Sequence, residues 1–175
     1  MMSEMVAAAR MSPDRRILLQ VVQTVSIVVQ SVESDTSLRY LFQGRQMDEI
    51  LEFGFDFADE EFLYYYVSIM KTIALRLNTD LVSLFYDPRK DHSFPLYTGA
   101  LRFVDHPDAI VSAAARNVTL SIYTTAPPYM LEYIGRRTEE DGKHFFDRIV
   151  DICLSAREGL DVAIADNRNR NRSAS

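Results

Sequence analysis

The sequence predicts an all-α protein, with an armadillo- or HEAT-like solenoid of about three stacked helical repeats favoured over an irregular helical bundle. Three observations carry this. Apolar residues recur at three- and four-residue steps almost throughout, while strand-like alternation is nowhere sustained. Helix-start residues (Asp, Asn, Ser) and helix-stop glycines punctuate the chain at short intervals. Three long apolar segments share a core: Gln23-Thr24-Val25-Ser26-Ile27, Lys71-Thr72-Ile73-Ala74-Leu75 and Arg116-Asn117-Val118-Thr119-Leu120. Thr24 and Thr72 stand 48 residues apart, and Thr72 and Asn117 stand 45 apart. Armadillo and HEAT units run about 40–47 residues. Such a unit cannot bury its apolar face alone, so stacking supplies the core and leaves an elongated groove.

Taken in order, residues 1–12 read as a flexible N-terminus. Ser12-Pro13-Asp14 then opens a helix: Ser12 caps, Pro13 suits the first turn, and Asp14 favours the positive end of the helix dipole. Leu18, Val21, Val22, Val25, Val28, Val29 and Val32 line one face. Many are β-branched, so a buried strand competes, and a length near twenty residues decides for helix. Asp35–Phe42 is a short helix with Gly44 as a left-handed stop. Gln46–Phe53 is another, closed by Gly54. Asp59-Glu60-Glu61 opens a long helix that runs to Asn78, with Phe62, Tyr65, Tyr66, Ile69, Ile73 and Leu77 inward. Leu81–Tyr86 is a short helical piece, and Asp87-Pro88-Arg89-Lys90-Asp91 is a polar loop. Phe94–Val104 is a helix that tolerates Pro95 near its start. Asp105-His106-Pro107-Asp108 starts the next, an Ala-rich helix to Tyr123. Pro127-Pro128 begins a shorter one to Ile134. Gly135 and Gly142 bracket a charged turn. Lys143–Ala165 is a last amphipathic helix with Phe145, Ile149, Ile152 and Ile164 inward. The Arg/Asn/Ser tail, 166–175, has nothing to bury and is expected to be disordered.

Composition narrows the function. A chain of 175 residues is one domain, long enough to bury roughly 70% of its unfolded surface. A net charge of −6 argues against a nucleic-acid binder, and weakly against direct docking on anionic lipid. The single cysteine, Cys153, permits no internal disulfide and suits a reducing compartment. The N-terminus has an early acid and too short an apolar run for a signal peptide. The longest uncharged stretch, Ile17–Val32, is shorter than the ~20 residues that span a bilayer. The expectation is a cytoplasmic protein, membrane-associated only peripherally or indirectly.

Catalytic chemistry finds little support. His92, His106 and His144 with Cys153 fit no compact zinc spacing, so neither metal nor cofactor is expected. The cluster Asp56, Asp59, Glu60 and Glu61 sits at a helix start, where acids stabilise the dipole. Glu139-Glu140-Asp141 reads as a solvated turn. Asn117-Val118-Thr119 matches a glycosylation sequon but falls mid-helix. No Gly-rich phosphate loop and no nucleophile motif is present, and no enzyme activity is expected. Tyr64-Tyr65-Tyr66 is unusual. In a helix these three point in three directions, so at least one is exposed or lies at a helix contact. They are candidate partner-binding residues, with plain packing favoured. Arg168, Arg170 and Arg172 are too few for a strong tether.

The most specific feature is the run Phe94-Pro95-Leu96-Tyr97-Thr98, followed by Phe103-Val104-Asp105-His106-Pro107. Before it come Asp35-Thr36-Ser37-Leu38-Arg39-Tyr40-Leu41, Phe55-Asp56-Phe57-Ala58-Asp59-Glu60-Glu61 and Lys71-Thr72-Ile73-Ala74-Leu75-Arg76-Leu77-Asn78. In this order the motifs resemble the FPL-domain family, named for its Phe-Pro-Leu triplet. The resemblance covers about Leu18 to Ile134 and makes 13–165 an FPL-type helical domain. It implies an armadillo-like scaffold without catalytic residues. Family members regulate endosome-to-lysosome and Golgi-linked transport, vesicle trafficking and autophagy, including mitophagy. They are linked to ubiquitin ligase partners, and animal and plant members are several times longer. The expected function is therefore protein binding in that machinery, on endosome, lysosome or Golgi membranes. The alternatives are a subunit of a ubiquitin ligase complex, or a partial member that only folds. A self-sufficient RING ligase would need eight Cys/His ligands, which this chain lacks. The signature residues Phe94, Pro95, Leu96, Tyr97, His106 and Pro107 are expected to be structural, with Phe94 and Leu96 packing and Pro95 fixing the helix entry.

Overall fold

A computed structural model of the chain describes residues 2–11, 14–89, 93–141 and 145–173, with side chains described except at 137–141 and 165–173. The described residues are helical with short connections. Their one β feature is an isolated bridge between Asp87 and Ser93. The chain divides into two compact units, 1–133 and 134–175.

In the first unit, α1 (Met2–Met11) is a helix where the sequence suggests a flexible arm. Met2, Val6 and Ala9 fall on one stripe and are buried, and the helix packs against α2 and α4. Single small residues at helical spacing escape notice without knowing that a groove awaits them. Arg10 adds an ion pair with Glu49 at 3.1 Å.

α2 (Arg15–Ser31) is a helix despite its β-branched content. Asp14 caps it, accepting from the Arg16 N–H at 2.8 Å; Ser12 and Pro13 lie outside the described residues. Val22, Val25 and Val29 are wholly buried. α3 (Asp35–Gln43) sets Phe42 against Phe85 with ring centroids 5.0 Å apart. Gly44 does not take the left-handed conformation expected of it. Its φ is −87°, and Arg45 adopts φ 58° instead. From there the Arg45 guanidinium reaches the Asp87 carboxylate, an anchor that glycine could not supply. α4 (Gln46–Glu52) buries Met47, Ile50 and Leu51.

Asp59 caps α5 (Glu60–Ala74), accepting from the Glu61 N–H at 3.1 Å. The helix stops at Ala74 rather than at Asn78. Asn78 caps α6 (Thr79–Val82) instead, accepting from the N–H groups of Asp80 and Leu81. A 3-10 turn, Ser83–Phe85, follows. α7 (Pro95–Leu101) has Pro95 in its first turn, where the missing N–H costs nothing. It ends short of the expected Val104. α8 (Ala109–Thr125) is capped by Asp108, which accepts from Ile110 and Val111.

α5 packs between α2 and α8. Side chains join these and the shorter elements at a recurring separation. Arg15–Asp59, Arg76–Val32 and Tyr64–Asp108 each link residues 44 apart. Arg39–Asp80, Arg45–Asp87 and Glu52–Ser93 link residues 41 or 42 apart, and Ser83–Tyr129 links residues 46 apart. Because both ends of α2 meet α5 at the same offset, the two helices run parallel.

α9 (Pro128–Asp141) continues past the expected stop at Ile134 and carries Gly135 inside it. The second unit's main element is α10 (Phe145–Ser173). It carries on beyond Ala165 into the tail expected to be disordered. Phe145 is buried, whereas Ile164, expected inward, is exposed.

Candidate interaction surface

The signature run is interior. Phe94, Leu96 and Tyr97 are at most 2% exposed, and Pro95 is buried beside them. The Phe94 ring stacks on Tyr97 at 5.8 Å and meets Tyr86 edge-on at 6.0 Å. Tyr97 in turn meets Tyr123. Tyr86 also meets Tyr129 at 5.9 Å and Tyr133 at 5.2 Å. The triplet therefore joins the chain after Tyr86 to α8 and the start of α9. His106 is half-buried and its Nδ1 accepts from the Asp108 N–H at 3.1 Å. Pro107 is exposed. These two shape the entry to α8.

The three tyrosines separate as helical geometry requires. Tyr66 is wholly buried and donates to the Leu51 carbonyl at 2.8 Å, which removes it from any partner surface. It belongs to an aromatic cluster with Phe55, Phe57 and Phe103. Burial pushes its hydroxyl pKa up to about 12. Gly99 on α7 abuts it: a Cβ there would stand 2.6 Å from the Tyr66 hydroxyl. Tyr65 is half-buried. Tyr64 is exposed and donates to Asp108 Oδ2 at 2.8 Å, so it can present a ring edge while clamping the start of α8.

The acidic cluster is tied into helix starts. Asp56 accepts from the Ala58 N–H. Arg15 donates to Asp59 and to Glu61, both at 2.6 Å. The Arg15 hydrogen bond holds the Asp59 carboxyl below its usual range, and the Tyr64 hydrogen bond does the same for Asp108. Cys153 is exposed, and His92 and His144 lie outside the described residues. Among the described residues no three His, Cys, Asp or Glu side chains come together to hold a metal. No described helix is long and apolar enough to cross a membrane.

What the sequence did not single out is the outer side of α2, α5 and α8. In the repeated pentapeptides the third residue (Val25, Ile73, Val118) and the fourth (Ser26, Ala74, Thr119) are buried. The fifth is exposed each time: Ile27 at 58%, Leu75 at 78% and Leu120 at 43%. The signal was present in the repeat itself, whose fifth position is aliphatic in all three copies although it falls outside the buried stripe. A separate shallow groove of about 590 Å³ lies between α1, α2 and α3, lined by Met2, Val28, Val32, Tyr40 and Leu41 among others.

The described helices pack on one another, and the signature run lies in their interior. The chain belongs to the FPL family, whose profile, described as "Uncharacterised conserved protein", matches residues 1–123. The matched span includes α1, so the N-terminal helix is part of the family domain. The chain is 34% identical over 166 residues to "Protein CLEC16A" of Homo sapiens, covering 93% of this chain and 15% of that protein. It is 33% identical to the "Protein CLEC16A homolog" of Drosophila melanogaster over 79% of this chain and 14% of that protein. It is 31% identical to "Protein TRANSPARENT TESTA 9" of Arabidopsis thaliana over 76% of this chain and 16% of that protein. The chain thus spans about a seventh of the length of these relatives. No solved structure matches.

Proposed function

We propose that this chain is a non-enzymatic, armadillo-like scaffold that binds protein partners in endosomal and lysosomal membrane traffic and in autophagy, including mitophagy. The observation that carries the scaffold reading is that most side-chain links between elements join residues 38–46 apart, with 41–46 recurring. It matches the length of one armadillo or HEAT unit. Each long helix meets its equivalent one unit on, as a stack of nearest neighbours does. The trafficking assignment rests on family membership. Membrane association is peripheral or borrowed from a partner.

Affinity capture from cell lysate with the purified chain as bait, read by mass spectrometry, tests this. Enrichment of trafficking or autophagy proteins is expected, and recovery of background proteins alone would end the reading. Capture of a ubiquitin ligase whose activity rises with the bait would narrow the role to a ligase-complex subunit. Ubiquitin conjugation by the chain without added ligase would overturn the non-enzymatic assignment. Flotation with protein-free vesicles is expected to leave the chain in solution. Co-flotation would place membrane recognition in the chain itself.

A further inference from the structure

We infer that the outer side of α2, α5 and α8 docks an extended acidic protein segment carrying apolar anchors. This rests on the scaffold reading above and specifies its partner. Two observations meet there. The first is a set of exposed aliphatic side chains, Ile27 on α2, Leu75 just past the end of α5 and Leu120 on α8. The second is charge. The chain holds 25 acids against 19 bases, yet residues 15–32, 62–76 and 109–125 contain no Asp or Glu. Their charged residues are Arg15, Arg16, Lys71, Arg76 and Arg116, all basic.

Most of the acids nearest this side stand at the helix starts and are engaged, while Glu33 stands past the end of α2 beside Arg76. Arg15 binds Asp59 and Glu61, and Tyr64 binds Asp108. Arg76 and Arg116 are steered by neutral groups: the Val32 and Glu33 carbonyls for Arg76, the Ser112 carbonyl and hydroxyl for Arg116. Arg116 therefore keeps an uncompensated positive charge, and Lys71 is exposed. An acidic partner meets complementary potential and a basic one is repelled.

The surface between the rows favours an open backbone over a helix. Gln20 and Asn117 are exposed and Gln23 is half-exposed, offering side-chain amides. An extended chain has unpaired N–H and C=O groups to meet them, whereas a helix has satisfied its own. Packed helices lie about 8–10 Å apart and a strand advances about 3.3 Å per residue. Apolar anchors about three residues apart then land on successive helices.

Selection of random twelve-residue peptides displayed on phage against the purified full chain tests this, followed by affinity measurement of the recovered peptides. The expected pool is rich in Asp and Glu with apolar residues about three apart. Binding should weaken about tenfold both in Ile27→Ser with Leu75→Ser and in Lys71→Glu with Arg116→Glu. Tyr40→Ser, on α3, should leave it unchanged. Circular dichroism and thermal midpoints confirm that the variants fold. A neutral or basic pool, or binding indifferent to both paired variants, overturns the inference while captured lysate partners keep the scaffold reading alive. An empty pool also overturns it, and joined to background-only capture it ends the scaffold reading too. Sedimentation with phosphatidylserine vesicles that is lost in Lys71→Glu with Arg116→Glu assigns this side to lipid and likewise overturns the inference.

Discussion

The run Phe94–Tyr97 and the row Ile27, Leu75 and Leu120 are both large and apolar, and the fold treats them oppositely. The run is interior, knitted by ring contacts to Tyr86 and Tyr123. The row is left in water, on α2, just past the end of α5 and on α8. The most diagnostic piece of this sequence is therefore a packing device, and the piece that resembles routine core is the exposed one. Hydropathy alone does not separate the two. Helical phase does, because the fifth residue of each pentapeptide lies outside the buried stripe.

The widest separation between the two regions should appear in stability. Phe94→Ala is expected to cost about 3–5 kcal/mol, and Leu96→Ala about 2–5 kcal/mol, because each leaves a cavity. Leu75→Ser should move the urea midpoint very little, within about 0.5 kcal/mol. Equal midpoints for Phe94→Ala and the parent, with partner capture lost, would turn the signature into a recognition element and erase the contrast.

Next is the contact that seats α7 on α5. Gly99→Ala forces a methyl against the Tyr66 hydroxyl and is expected to destabilise by about 1–3 kcal/mol. Tyr66→Phe removes the clash along with the bond to Leu51. The double variant should therefore be less destabilised than the sum of the singles in urea titrations. Strict additivity would show that the contact does not set the spacing.

Tyr66 also predicts an alkaline limit. Its folded-state pKa of about 12 lies above the unfolded value near 10. The resulting stability is complete below about pH 10 and disappears as pH rises toward 12. Tyrosinate absorbance and helicity should change together in that window, and Tyr66→Phe should weaken the coupling. A protein whose helicity persists after every tyrosine has ionised would refute it.

The smallest effect is at acid pH. Asp59, Asp87 and Asp108 are held below their usual range by Arg15, Arg45 and Tyr64 respectively. A depressed carboxyl contributes stability above its unfolded pKa, near 3.9, and loses it as pH falls through the folded value. Urea midpoints should decline below about pH 4, less so in Asp59→Asn. These groups are half-buried and still reached by solvent, so added salt should flatten the decline in part.

Much of the fold was legible because its punctuation is chemical. Asp59 and Asp108 cap as their side chains suggest, although Asp14 rather than the expected Ser12 caps α2, and the three pentapeptides fall on α2, α5 and α8 or their ends. What escaped depends on distant partners. α1 was missed because Met2, Val6 and Ala9 form a stripe only against α2 and α4. The left-handed turn moved from Gly44 to Arg45 because Asp87 waits for the guanidinium. Asn78 serves the start of α6, a role that looks identical to ending α5. Of the candidate surface, Tyr64 was within reach of sequence reasoning. The acid-poor stretches of α2, α5 and α8 became one surface only once these helices lay next to one another.

The helix caps have a further consequence. Asp59 and Asp108 each close their own helix while a side chain from the preceding long helix holds them. A cap shared in this way is a nearest-neighbour coupling, so opening one helix start also loosens the helix before it. α5 is gripped at its own cap by α2 and grips the cap of α8. Its amides are therefore expected to exchange last among these three helices, those of α2 and α8 first.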